Sequence, residues 1–321
     1  MVAEFNASAQ SNYSALTVKI PYMNVERLRI LREFADRGTA GAVADALSMT
    51  PSAVSQQLKI LAREAGVPLL EPDGRRLRLT DAGAALVLRA DEVLGALDRA
   101  SAEMASYGAS PRGRVRVALF PSGAGLLLPG VLNRLHDSGT QVDARDEDVP
   151  ASSVPALLAD YDVVLTHRDD SAPATAAPRL EVRTLMREPI DLLLPLTHRL
   201  ASEESVDVRR LVDEEWISVR DGFPVDDVLL SVAAATGVRP RVIQRINDFR
   251  VTEELVARGH GVALMPRYAV GHPGVITRPL AGVRAGRIYE LATRPNATTL
   301  PAIAATVDAF EKEAAAVSRN V

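Results

Sequence analysis

Ser52, Ser55, Gln56, Lys59 and Arg63 follow one another at spacings of three, one, three and four, so on a helix they share one face. That face is small, polar and basic, with no bulky side chain near its start. A Gln amide pairs with the edge of adenine, short Ser side chains permit close approach, and Lys or Arg reaches guanine or phosphate. A second basic group, Arg75, Arg76 and Arg78, alternates with Leu77 and Leu79 directly after Asp73-Gly74. A turn dipeptide followed by alternation predicts a hairpin, and arginines on it would grip phosphates. A polar helix face alone is most often only a solvated face; the basic hairpin beside it is what favours nucleic acid.

A third group lies farther along the chain. Phe120-Pro121-Ser122-Gly123-Ala124-Gly125 follows an apolar run and opens a helical pattern, so backbone amides and the Ser122 hydroxyl are suited to an anionic or polar ligand. A plain strand-to-helix turn fits the same residues. His167-Arg168 reads as an exposed basic pair, with neutralisation of a carboxylate as its alternative, and Phe223 as either a pocket wall or a core aromatic.

These residues need elements to hold them. Leu28, Leu31 and Ala35 predict a helix over Val25 to Arg37 that Gly38 stops, and Ala42 to Leu47 a second short one. Thr50 is an N-cap and Pro51 suits the first helical position, so the third helix runs to Ala65 before Gly66, with Val54, Leu58, Leu61 and Ala65 turned inward. Leu69 to Leu79 forms the hairpin, a wing. Thr80 then caps a long helix from Asp81 to about Tyr107 in which Leu86, Ala90, Val93, Leu97, Ala100 and Met104 recur at four, three, four, three and four. That is an a/d seam and predicts a dimer interface, although a helix lying on its own domain satisfies the same pattern. Gly108 to Gly113 reads as a linker.

From Arg114 onward strands and helices alternate, which predicts an α/β architecture with largely parallel sheets. Strands are expected at Val115 to Phe120, Gln141 to Glu147, Asp162 to Thr166, Ile190 to Leu196, Trp216 to Arg220, Val242 to Ile246, Gly261 to Met265 and Ile288 to Ala292. Helices are expected at Leu126 to His136, Val154 to Ala159, Asp226 to Thr236, Phe249 to Arg258 and Pro301 to Val317.

Composition narrows the class. A chain of 321 residues that is 47% hydrophobic and 24% charged is ordinary globular material for about two domains, and no apolar run is long enough to span a bilayer. Zero cysteines exclude disulfides, thiolate metal sites and cysteine nucleophiles, and five His leave little for a metal cluster, so no metal or cofactor is expected. No Gly-x-Ser-x-Gly elbow, His-Glu-x-x-His or P-loop is present, which argues against an enzyme. The net charge of -4 excludes a protein that coats nucleic acid by bulk charge. Met1 to Tyr22, rich in Ser, Asn and Ala, is expected to be disordered, and with no secretory leader the protein is expected in the cytoplasm.

Three runs carry a family resemblance: Thr39-Ala40-Gly41-Ala42-Val43-Ala44-Asp45-Ala46-Leu47, then Thr50-Pro51-Ser52-Ala53-Val54-Ser55-Gln56-Gln57-Leu58, then Arg75-Arg76-Leu77-Arg78-Leu79-Thr80-Asp81-Ala82-Gly83. Together they resemble the N-terminal domain of LysR-type transcriptional regulators. Tyr161-Asp162-Val163-Val164-Leu165, His198-Arg199-Leu200-Ala201 and Gly259-His260-Gly261-Val262-Ala263-Leu264-Met265-Pro266 resemble later landmarks of that family in the expected order. The resemblance implies an α+β multidomain chain: a winged helix-turn-helix over 23–80, a linker and dimerisation helix over 81–108, and a two-lobed α/β effector domain over 114–321, like periplasmic binding proteins. Its first lobe would be 114–185 with 275–321 and its second 186–273. The implied partners are double-stranded promoter DNA, a polar or anionic small molecule between the lobes, and copies of the chain in a homodimer or homotetramer, with no membrane.

In that setting Ser122, Gly123, Thr166, Arg220 and Asn247 fall near strand ends and face the cleft. The sequence departs from the family at Ala42, often basic, at Leu70-Glu71-Pro72, usually aromatic then basic, and at Pro51-Ser52, often small then Pro. Residues 24–108 hold 11 basic and 12 acidic residues, a net of -1, so the DNA complex is expected to be weak or strongly salt-sensitive.

Overall fold

The computed structural model describes residues 23–74, 76–106 and 113–319. The unstructured leader expected over 1–22, the phosphate-holding Arg75 and most of the linker over 108–113 lie outside the described residues. The chain divides into two compact units, one through Leu94 and one from Gly95.

The first unit is built from local signals. Helix α1 (Val25–Arg37) starts where the Asn24 side chain accepts from the Glu26 amide at 2.8 Å and stops at the left-handed Gly38. Helix α2 (Ala40–Leu47), capped by Thr39, begins two residues earlier than its apolar pattern suggests. Helix α3 (Pro51–Ala65) has Thr50 Oγ1 accepting from the Ala53 amide at 3.2 Å, proline in its first turn and Gly66 at its end. Val54, Leu58 and Leu61 enter a core with Leu28, Leu31, Phe34, Val43 and Leu69. Arg27 spans from α1 to α3, donating to Gln57 at 2.9 Å and to Glu64 at 2.7 Å. Strands β1 (Leu70–Asp73) and β2 (Arg76–Leu79) pair antiparallel as the wing.

Helix α4 (Asp81–Ser106) begins at Thr80, whose Oγ1 accepts from the Gly83 amide and donates to the Pro68 carbonyl. A Cβ on Gly83 would lie 2.1 Å from the Leu69 carbonyl oxygen, so only glycine lets this turn approach the wing so closely. The expected seam is divided. Ala90 is fully buried and Leu86 half-buried in the first unit's own core, beside Val87, whereas Val93, Leu97 and Met104 remain 41%, 43% and 62% exposed. The heptad pattern therefore serves two purposes in turn, because a helix that starts on a domain must cover that domain before its apolar stripe is free. Leu86 and Ala90 are therefore corrected from the expected seam to the first unit's own core, and Val93, Leu97, Ala100 and Met104 are the members that remain exposed.

In the second unit, one sheet has the order β4-β3-β5-β13-β6-β10-β8-β9, with β11 also paired to β6. Its strands are β3 (Arg114–Leu119), β4 (Gln141–Asp146), β5 (Val163–Asp169), β6 (Glu181–Pro195), β8 (Glu215–Ser218), β9 (Arg241–Arg245), β10 (Val262–Pro266), β11 (Val275–Arg278) and β13 (Gly286–Thr293). A short pair, β7 (Val206–Asp207) and β12 (Leu280–Ala281), stands apart. Helices α5 (Pro121–Leu135), α6 (Val154–Leu157), α7 (Pro224–Thr236), α8 (Phe249–Ala257) and α9 (Pro301–Arg319) complete the unit. Helix α5 starts at Pro121 rather than Leu126, because proline at the first position begins a helix that the glycines after it do not break.

The expectation of largely parallel sheets is half right. Parallel pairing holds for β3 with β4 and β5 and for β8 with β9 and β10. Strand β13 is antiparallel to β5 and β6, and β6 is antiparallel to β10 and β11. The physical reason is β6 itself: it crosses both lobes as one strand, partnering β13 from Glu181 to Pro189 and β10 from Ile190.

This crossing moves the expected lobe limits. Met186 belongs to the first core with Val117, Leu119, Leu127, Leu165, Tyr289 and Phe310. Ile276 and Leu280 pack on the second core, around Ile190, Leu192, Trp216, Val228 and Leu264, and β11 and β12 pair there. The chain returns to the first lobe at Gly286, not at residue 275. Among the described residues, no helix is long and apolar enough to cross a membrane.

Candidate functional site

Helix α3 presents Ser52, Gln56, Lys59 and Arg63 exposed and Ser55 half-buried, on the face opposite Val54, Leu58 and Leu61. The Ser55 hydroxyl donates to the Pro51 carbonyl at 2.9 Å, which leaves its oxygen to accept, and Ser52 lies 3.0 Å from Thr50 Oγ1. On the wing Arg76 is exposed, while Arg78 is held by Glu71 across the strand pair at 2.5 Å. The departure noted at Leu70-Glu71-Pro72 thus has a consequence: one wing arginine faces a carboxylate that it must leave, or share, to hold phosphate.

In the second unit a cleft of about 680 Å³ opens between the lobes. The first lobe supplies Phe120, Ser122, Leu126, Asp148, His167 and Arg287, the second Val219, Phe223, Asn247, Phe249 and Arg250, and Tyr268 stands where the lobes meet. Three of the six phenylalanines in the whole chain line it. Such a wall favours a ligand with an apolar, planar body.

The floor is organised by Arg287, only 1% exposed. Its Nε donates to Glu188 Oε2 at 2.8 Å, its Nη2 to Ser122 Oγ at 3.0 Å and to Tyr289 Oη at 2.9 Å, and its Nη1 lies 3.1 Å from His167 Nδ1. Tyr289 Oη and the Tyr268 amide complete the shell of Glu188 at 2.8 and 2.7 Å. A buried ion pair is tolerable only when its remaining groups are satisfied in this way. Burial and the Glu188 charge also push the Tyr289 hydroxyl far up, so it stays protonated as the donor to Glu188.

His167, 6% exposed, stacks on Phe120 with ring centroids 4.1 Å apart. Burial first, and the Arg287 charge second, hold its imidazole well below the usual histidine range, so it is neutral. An arginine can only donate, so Nδ1 accepts and the single ring proton sits on Nε2. That Nε2 is buried with no hydrogen-bond partner among the described residues. The ring of His167 thus forms part of the cleft wall while its one N–H is shut away from the surface. Ser122, whose oxygen accepts from Arg287, offers its hydroxyl hydrogen from the first turn of α5.

The second lobe faces the first through a different group. The Asn247 Oδ1 accepts from the Arg220 amide at 2.9 Å, which turns its Nδ2 toward Asp148 Oδ2 at 2.6 Å. Arg220 donates to the same carboxylate oxygen at 2.7 Å, with its guanidinium 5.2 Å from the centroid of the Phe223 ring.

Of the expected effector residues, Ser122 and Asn247 line the cleft. Arg220 is not part of its lining but bridges to Asp148. Thr166 is not in the cleft: neighbouring strand residues face opposite ways, and it borders a small void with Ala118, Val154 and Leu157. Gly123 is not a lining residue either; its absent side chain makes room for the Phe120 ring, which a Cβ there would approach to 2.4 Å. The exposed basic pair is overturned, since His167 is buried and neutral and Arg168 is bound to the fully buried Glu290 at 2.7 Å. Phe223 is both things at once, a member of the second core and a cleft wall.

Asp148, Glu188, Phe249, Tyr268 and Arg287 were not singled out from the sequence. Only Arg287 left a signal there: it precedes Tyr289 by two along an apolar strand, and period two places it on Tyr289's inward face.

A helix-turn-helix unit with a basic reading face, joined to a two-lobed ligand-binding unit, defines a class of DNA-binding sensor. Residues 25–84 match the family model for the bacterial regulatory helix-turn-helix protein of the lysR family, and residues 108–315 match the LysR substrate binding domain. The chain is 24% identical to a probable nitrogen assimilation transcriptional activator of Synechococcus elongatus, over 88% of this chain and 92% of that one. It is 27% identical to the DNA-binding transcriptional dual regulator OxyR of Escherichia coli, over 85% and 90% of the two chains. Among solved structures, full-length OxyR of Pseudomonas aeruginosa superposes with a TM-score of 0.63 at 21% identity, over 90% and 98% of the chains. The regulator CbnR in complex with its target DNA superposes with a TM-score of 0.52 at 20% identity, over 91% and 100%. The chain belongs to the LysR family and is a DNA-binding transcriptional regulator with a substrate-binding domain.

Proposed function

We propose that this regulator reads promoter DNA through Ser52, Ser55, Gln56, Lys59 and Arg63, grips phosphates with Arg76 and Arg78, and assembles as a homodimer or homotetramer in the cytoplasm through Val93, Leu97, Ala100 and Met104. A small polar or anionic effector binds between the lobes beside Ser122 and changes the geometry of the bound DNA. The observation that carries this reading is the cleft itself, in which Ser122 at the start of α5, His167 and Arg287 of the first lobe face Phe223 and Asn247 of the second. A purely structural domain has no use for an open cleft of this size between its lobes. The role asks for no catalytic group. Its relatives include one described as a hydrogen peroxide-inducible genes activator. With no cysteine, this chain has no thiol that peroxide can oxidise.

The test is a thermal-shift screen of a metabolite library on the parent and on Ser122→Trp, followed by footprints on DNA selected by the parent from random sequence. A compound that stabilises the parent, fails to stabilise the variant and alters the parent's footprint is the expected result. A footprint response that Ser122→Trp shares with the parent would place sensing elsewhere.

A further inference from the structure

We propose that Arg220 and Asn247 form a carboxylate-binding seat that the chain fills with its own Asp148 when no effector is bound, so that the effector enters by replacing an internal anion. The inference rests on the cleft as the sensing site and adds the chemical class of the ligand: an effector with a carboxylate and an apolar, planar body.

The seat is built from the second lobe alone. Asn247 is oriented by the Arg220 backbone amide, which donates to its Oδ1 at 2.9 Å; the side-chain amide must then present its NH2 outward. The Arg220 guanidinium is positioned over the Phe223 face, 5.2 Å from the centroid. Neither contact involves the Asp148 carboxylate, and the further bond from Arg220 Nη2 to the Asp148 backbone carbonyl at 3.2 Å survives its removal, so deleting that carboxylate leaves two convergent donors in place. Both donors meet Asp148 Oδ2, at 2.7 and 2.6 Å, in the manner of charge-assisted bonds to an incoming anion.

Asp148 itself belongs to the first lobe, on the segment after β4. The same bonds therefore tie the second lobe to the first beside the cleft. They are also easily exchanged, because the Arg220 side chain is 59% and that of Asp148 29% exposed, and an ion pair with such access to water is weak. A free carboxylate makes the same two bonds, and the aromatic wall of Phe120, Phe223 and Phe249 holds the rest of the molecule. The tethered anion then acts as a tax on affinity: the ligand sees only the fraction of molecules whose seat is empty.

Chemical rescue tests this with acetate as the probe and acetamide as its neutral control, on the full-length protein without DNA, at constant ionic strength against chloride. Asp148→Gly empties the seat and should bind acetate about tenfold more tightly than the parent, as when nine-tenths of parent molecules hold the seat closed. The gain should show in thermal shift and in calorimetry. Acetamide should give none of it, and Asp148→Gly combined with Arg220→Gln should lose it. Asp148→Asn, which keeps the shape but not the charge, should fall between parent and Asp148→Gly. Equal acetate binding by the parent and both aspartate variants, survival of the gain without Arg220, or rescue by acetamide overturns the proposal. Since no DNA is present, a failed seat leaves the sensing role untouched, and a failure of the footprint test leaves the seat standing.

Discussion

Arg287 donates to Nδ1 of His167 across 3.1 Å, fixing the tautomer of a histidine 120 residues away in sequence and adding to the burial that keeps it neutral. The folded imidazole titrates well below 6.5. In the unfolded chain it takes up a proton near the ordinary value. Below pH 6.5 the unfolded state therefore binds a proton that the folded state refuses, and stability falls by about 1.4 kcal/mol per pH unit from this group. His167→Gln keeps an acceptor and a donor but does not titrate. Unfolding of parent and variant between pH 7 and 5 should show the parent losing its advantage as pH falls, and parallel curves would contradict the assignment.

Removing the Arg287 charge should be severe. Arg287→Met leaves Glu188 buried without its counter-ion, a loss of about 3–5 kcal/mol. Adding Glu188→Gln should recover part of it, because the partner left behind is then neutral. Urea unfolding of the two variants gives the comparison; a double variant as unstable as the single one would show that packing, not charge, is the cause.

On α4, charge at two positions of the heptad pattern should fail in different ways. Leu97→Glu places a carboxylate on the exposed stripe, and sedimentation should show a smaller assembly of folded chains with weaker DNA binding. Ala90→Glu buries one in the first unit's core, so that unit should lose its fold. An unchanged mass for Leu97→Glu would exclude this stripe as an interface.

On the DNA side, Gln56→Ala should relax preference at particular base pairs, at a cost of about 1–3 kcal/mol for the favoured sequence. Arg76→Ala should weaken binding to every sequence and flatten the salt dependence. Binding to a set of single-base variants at several salt concentrations separates the two, and uniform loss in both proteins would reject the division of roles.

Legibility followed the range of the interactions. The caps at Thr50 and Thr80, proline in the first turn of α3 and the glycine stops act within four residues, so the helix-turn-helix could be read almost to the residue. The cleft was legible at Ser122 and Asn247, which sit at element starts. It was not legible at Arg287, whose partners Glu188, His167 and Ser122 are 99, 120 and 165 residues away. Thr166 and His167 show the limit most sharply. Adjacent residues on one strand face opposite sides, and the neighbour passed over as surface is the one that lines the cleft. The division of the α4 seam was hidden for a related reason: one heptad pattern describes both a helix packed on its own domain and a free stripe, and only the three-dimensional position of Val87 and Ala90 separates them.

The lobe junction on β6 falls between Pro189, opposite Gly286, and Ile190, opposite Pro266. Two of these four residues have no amide hydrogen, so the ladder is thinnest where one partner strand gives way to the next. A bend at this point breaks few bonds, whereas a slide of one lobe past the other would have to unzip β6 along its length. The cleft thus has a crease rather than a bearing. A ligand that prefers a closed form would then act on rotation about this crease, not on remaking the sheet.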